Sequence, residues 1–269
     1  MSVFDPTATT TAIHSTIDGS TSNTILKCHY VLVCILSLFM LVWILLIPSS
    51  WLMGYSKWHD DMILASMPET GIVAPSTLIK YSKQTAVQMT HILPGAIWVA
   101  AIPFQLHSTF RNTHRKAHRV TGYIFLATSV SSMVGLALIW NRGLVYEHFF
   151  DDLPASTEPS TTVPLLFMAL WFSMTAGLAL HNARKKRFQE HERWIYRHVA
   201  SGIWVALQRV LLLGPMSMIY TQPVSRTTQR AVFGNSARIA IIICLILAEY
   251  CIYLRTKIKT EKLITLKQK

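Results

Sequence analysis

Between two long apolar runs the chain reads THRKAHRVTGY, from Thr113 to Tyr123. His114, Arg115, Lys116, His118 and Arg119 crowd into six residues, and the sequence then turns hydrophobic. Such a cluster can anchor lipid headgroups, bind phosphates, or hand protons and charge to a reaction. A second basic turn has the same outline. In the first turn His107 closes one apolar run and His118 opens the next; in the second, His181 and His191 do so. The similarity hints at an internal repeat, a common device of membrane folds.

Six of the ionisable residues within or at the ends of the apolar runs could carry chemistry: His91, His107, Arg197, His198, Arg209 and Glu249. An Arg, Lys or Asp at mid-span costs about 2.5–3.5 kcal/mol, so those that persist usually face the interior of a bundle. At a rise of about 1.5 Å per residue, His91 and Arg209 fall at similar depth near one face of the membrane. Asp60 and Asp61, in the long loop before them, are placed to close that layer. Gln105, His118, Arg119, His191, Arg197 and Glu249 form a second layer near the other face. Simpler roles compete with these. Arg197 and Glu249 can form a structural ion pair, His118 and Arg119 can be headgroup anchors, and His107, His181 and His198 suit helix ends at the interface. Arg209 is the hardest to explain away, because it lies too deep to snorkel.

The chemistry follows from residue type. An Arg favours the charged form of a nearby carboxylate, so Arg209 suits orienting an oxygenated group better than raising a proton donor's pKa. His91 suits proton relay, with Asp60 or Asp61 as the acid. Glu249, the only carboxylate inside a span, is the competing donor. On this reading His118 and Arg119 point into the bundle, while His114, Arg115 and Lys116 face the cytosol.

Something must hold these residues in place, and the composition says what. Of 269 residues 51% are hydrophobic and only 14% charged, against about 25% charged in an ordinary soluble domain. The mean hydropathy is +0.36. Stretches at 26–47, 86–108, 120–141, 163–181, 194–220 and 237–254 are each long enough to cross a bilayer as a helix. The expected fold is all-α: a polytopic bundle of about six transmembrane helices, with spans two to five as a four-helix core. A polar tail covers 1–25, the membrane domain 26–254 and a basic tail 255–269.

The net charge of +12 resolves once it is sorted by loop. With the N-terminus in the cytosol, sixteen Lys and Arg fall on cytosolic segments and seven opposite. That is the positive-inside bias, and it accounts for the basic charge without nucleic acid. Both termini are then cytosolic in a multi-pass protein, with the endoplasmic reticulum as the expected membrane. Cys28, Cys34, Cys244 and Cys251 show no metal-binding spacing. The stretch Pro48 to Thr85 is long for a loop and suits a lid or a short interfacial helix.

The motifs also resemble those of a large family of predicted membrane proteins, catalogued as a domain of unknown function. They read HILPG (His91, Gly95), PFQ (Pro103 to Gln105), HRVTGY (His118, Arg119, Gly122, Tyr123) and HERWIYR (His191, Trp194, Arg197), followed by Arg209. The resemblance covers about 85–215. The family signature has Gly-Arg-x-Tyr where Gly122 here runs directly into Tyr123. Some fungal members resemble membrane-bound terpene cyclases of meroterpenoid pathways, of the macrophorin and ascofuranone type. The resemblance implies a cyclase acting on a hydrophobic, farnesylated ring, with membrane lipid around it. His91, Arg209, Asp60, Asp61 and Glu249 are then the catalytic candidates. Gln105, His118, Arg119, Tyr123, His191 and Arg197 are the substrate-binding ones.

Cyclisation needs a proton donor, a dry pocket, aromatic faces for the cation and a base. Trp98, Trp140, Trp171, Trp204, Phe104, Phe167 and Tyr123 supply aromatic faces on the spans. HDDM and FDDL are too short for a diphosphate-ionising metal motif, which favours protonation of an alkene or epoxide with no metal or other cofactor. One alternative is a b-type haem protein, with His107 facing His198 or His118 facing His181. Another is a lipid-binding or transport protein.

Overall fold

The structure is a computed structural model that describes residues 19–49, 57–153, 160–220 and 223–267. The described residues form an all-α bundle without strands, and six of its helices are long and apolar enough to cross a membrane. In hydrocarbon every backbone N–H and C=O has to find its partner within the protein, and a continuous helix meets that demand.

Helix α1 is Gly19–Leu46 and the short α2 is Lys57–Ser66. Span two runs Thr85–Leu106; its regular part, α3, is Leu93–Leu106. Helices α4 (Arg115–Asn141), α5 (Thr162–Arg184), α6 (Phe188–Leu211) and α7 (Arg226–Lys267) complete the bundle. Helix α6 is central, packed against α5 and α7, while α3 packs against α4 and α1. We call the end that carries residues 107–119 and 184–193 the basic end, and the opposite end the loop end.

Two boundaries differ from the sequence reading. Most of the polar tail read over 1–25 lies outside the described residues, but α1 already begins at Gly19. Ser22 is buried against the bundle, so packing extends the helix through residues of poor propensity. The basic tail read at 255–269 is no separate segment, because α7 is one helix of 42 residues. At about 63 Å it is twice the thickness of a hydrocarbon core of about 30 Å. The loop after Pro48 contains α2, which buries His59 and Ile63 and exposes Trp58, Met62 and Leu64, the pattern of a helix lying in an interface.

Spans two and five both widen into π-helical turns near the loop end, at Gln88–Ile92 and Leu212–Met216. Proline accounts for the first. Pro94 has no N–H for the carbonyl four residues back, that of Thr90, and the Ser131 hydroxyl of α4 donates to that carbonyl at 3.1 Å instead.

The middle of the bundle is aromatic. Trp98 stacks on Phe125 at 5.2 Å and tilts against Phe172 at 5.4 Å. A β-carbon at Gly202 would stand 2.5 Å from the Trp98 ring, so only glycine lets α6 come this close.

Candidate functional site

The principal cavity, about 330 Å³, opens between the spans in the loop-end half. His91, Lys80, Tyr81, Tyr146, Arg209 and Arg238 line it among apolar and aromatic side chains that include Trp43, Trp98, Phe172 and Trp204.

His91 sits in the π turn of span two. Its Nδ1 lies 2.9 Å from the Ser132 carbonyl. A carbonyl only accepts, so Nδ1 carries a proton, and in the neutral ring Nε2 is the acceptor. Helix α4 clasps this turn through Ser131, Ser132 and Gly135 together. A β-carbon on Gly135 would stand 2.5 Å from His91 Cβ, so the two backbones are in direct contact.

Arg209 approaches from α6. It donates to Gln208 Oε1, while the buried Gln208 donates its own amide to the Phe233 carbonyl at 3.1 Å. The guanidinium lies 6.0 Å from the Trp43 and Phe233 ring centres. Lys80 and Tyr81 enter from the loop before span two. Lys80 Nζ sits 5.0 Å from the centre of the Tyr81 ring and 5.5 Å from that of Phe149. Burial, aided by the Arg209 charge, lowers the Lys80 ammonium to a pKa of about 7. Burial raises the Tyr81 phenol to about 12, partly offset by Arg209.

Asp60 and Asp61 do not line this cavity. Asp60 accepts from Ser82 Oγ at 2.8 Å and lies beside His59 Nδ1, while Asp61 pairs with Lys57 on the exposed face of α2. The loop reaches the cavity instead with Lys80 and Tyr81, which sequence reasoning passed over. IKYSK reads as an ordinary polar loop, and no periodicity marks it as inward.

The second layer divides into two parts. Arg197 and Glu249 form a bidentate pair at 2.6 and 2.8 Å between α6 and α7, outside the cavity lining. Gln105, His118 and His191 line a separate small cleft with Arg111 and Glu192. Gln105 donates to Thr121 Oγ1 at 2.7 Å, and His191 Nδ1 donates to the Ala179 carbonyl at 2.8 Å. Arg119 and Tyr123 are exposed on α4. The expectation that Arg119 joins His118 inside is therefore corrected: consecutive helical residues sit about 100° apart, and only His118 lies on the inner face. Glu192, which the sequence reading did not single out, is the hub here. Arg111 and Lys259 reach its carboxylate at 3.1 and 2.9 Å, and Arg255 also pairs with it.

His198 is fully buried at the bundle centre rather than at an interface. Its Nδ1 faces the Phe172 carbonyl at 3.2 Å and Thr175 Oγ1 at 3.1 Å, and its Nε2 accepts from Trp98 Nε1 at 3.2 Å with Ser129 Oγ at 2.9 Å. The ring is enclosed by Trp98, Phe125 and Phe172. Neither nitrogen is left for an iron. His107 uses its Nδ1 to accept from the Phe110 amide at 3.0 Å, capping a short helix at the basic end. His181 is exposed on α5. The residues do not fit a haem between His107 and His198.

Comparison with models of protein families, with curated proteins and with solved structures finds no match.

Proposed function

We propose that the chain is a membrane-bound terpene cyclase whose loop-end cavity takes a prenylated ring and folds its chain for cyclisation. The observation that carries this reading is the cavity's composition: aromatic walls, a histidine anchored through Nδ1 to a backbone carbonyl, and phenols beside a half-buried guanidinium, in one cavity. Its 330 Å³ falls at the lower end of the range of about 300–1,000 Å³ for small-molecule sites.

The reaction is an isomerisation. A proton adds to an epoxide oxygen or an alkene carbon, the chain's π bonds close onto the cation, and a proton leaves a neighbouring carbon to give an alkene. Asp60, Asp61 and Glu249 lie outside the lining, so the starting proton falls to Tyr81 or Tyr146. Tyr81 stays protonated at neutral pH, and the Arg209 charge favours the phenolate it leaves. Trp98, Phe172 and Trp204 offer ring faces to the cation. His91 Nε2 accepts the departing proton, and its return to the tyrosine closes the cycle.

The basic end is proposed to face the cytosol, with both termini there, in the membrane of the endoplasmic reticulum. The test is to incubate membranes containing the protein with a farnesyl-bearing phenol and with its terminal epoxide. A product of unchanged mass and fewer alkene protons, lost in His91→Ala, supports the reading. Substrate that is bound and recovered unchanged would point to the lipid-binding or transport alternative.

A further inference from the structure

The cavity has a charge problem that its own residues do not solve. Lys80 and Arg209 both line it, and Arg238 stands at its edge. No Asp or Glu is among the described lining residues. Lys80 and Arg209 are half-buried, and a cation drawn out of water beside apolar walls without a carboxylate is costly. Here the loop-end carboxylates are present but committed elsewhere. Asp60 holds Ser82, Asp61 holds Lys57, and Glu69 accepts from both the amide and the hydroxyl of Ser76. Glu147 takes Thr161 and Arg230, Asp151 faces His148, and Asp152 pairs with Arg226. Each described carboxylate at this end already has a partner. Among the described residues, Lys80 lies beside the rings of Tyr81 and Phe149, and Arg209 beside those of Trp43 and Phe233 and the Gln208 side-chain amide.

The rest of the cavity is the reverse: a long apolar and aromatic trough running from Trp43 and Phe233 down to Trp98 and Phe172. The occupant that answers both features has an ionised acid at one end and an apolar chain at the other.

Resting on the proposed prenylated substrate, we infer that its ring carries an ionised acid group, a carboxylate, which Lys80 and Arg209 hold at the loop-end rim while the prenyl chain lies among the tryptophans. The guanidinium gives two parallel donors, which match a carboxylate. The ammonium supplies a further charge-assisted donor, and such bonds are roughly twice as strong as neutral ones. Holding the ring this way fixes which end of the chain reaches His91. It also explains why two like charges line one cavity: they repel until the anion arrives.

The experiment uses the full chain in lipid nanodiscs and follows tryptophan emission, since Trp43, Trp98 and Trp204 line the cavity. Three probes are titrated: a farnesyl-bearing hydroxybenzoic acid, its methyl ester, and palmitate. We expect the acid to bind at least about tenfold more tightly than the ester. Arg209→Gln and Lys80→Met should each erase that preference, and Arg209→Lys should restore part of it. Lys80 lies outside the spans, so its variant reports even if an Arg209 variant misfolds. Equal binding of acid and ester overturns the acid inference and leaves the prenyl cavity standing. Palmitate binding as tightly as the prenylated acid supports the anion rim and overturns the prenylated substrate. No quenching by any probe overturns both.

Discussion

Gly135 of α4 rests against the backbone of His91: a methyl group built on it would stand 2.5 Å from His91 Cβ and 2.7 Å from the His91 amide nitrogen. Neither atom can move without opening the π turn. Gly135→Ala should therefore destabilise the protein by about 1–3 kcal/mol, the usual penalty of overpacking, and should weaken binding in the cavity. Gly177 is the control, because a β-carbon there meets nothing. Melting temperatures in detergent check the pair, and an unchanged value for Gly135→Ala would contradict the contact.

Lys80 sets a pH dependence with a definite sign. Its ordinary value of 10.5 falls to about 7. An anion binds the protonated form, so affinity for the prenylated acid should be flat below about pH 7 and fall by up to tenfold per unit above it. Arg209, Arg238, Tyr81, Tyr146 and His91 are the other ionisable lining groups, and the Lys80→Met variant separates any contribution of theirs from that of Lys80. Titrations at about pH 6 to 9 should show the slope in the native protein and a flat line in Lys80→Met.

Glu192 gathers three cations, Arg111, Arg255 and Lys259, while only 14% of its side chain is exposed. Removing its charge leaves the three cations to repel one another around a largely shielded position. Glu192→Gln should lower the melting temperature sharply. Glu249→Gln, at a pair whose Glu side chain is 53% exposed, should cost far less and leave ligand quenching unaltered. If Glu249→Gln alone abolished cyclisation, the loop-end site would be the wrong one.

Sidedness is open to a direct chemical test. In a background with Cys28, Cys34, Cys244 and Cys251 replaced, Lys267→Cys should react with an impermeant maleimide from the cytosolic side. Asp151→Cys should react only after the membrane is permeabilised. Labelling of both from one side would refute the six-span topology.

The spans were legible because hydrocarbon imposes one simple demand on composition, and six apolar runs met it. The depth argument placed His91 and Arg209 at one level, and both line the loop-end cavity. What escaped reading was set by contacts distant in sequence. Lys80 and Tyr81 are inward because of the loop's path, which leaves no periodic trace. His198 sits one residue from Arg197 on the same helix, yet one is buried at the bundle centre and the other pairs outward with Glu249. Depth alone cannot separate neighbours that differ by a third of a turn. Asp60 and Asp61 looked available because a sequence does not show that Ser82 and Lys57 already hold them.

The π turn at Gln88–Ile92 makes chain length itself part of the design. Such a turn bonds each N–H to the fifth residue back rather than the fourth, so it accommodates one residue more than a plain helix would. Delete one residue between Thr85 and Ile92 and the segment can close into a regular helix. The flanks would stay in register, so the entry loop, with Lys80 and Tyr81, would keep its direction. What would be lost is the widened turn itself, which holds His91 against the Ser132 carbonyl and offers the Thr90 carbonyl to Ser131.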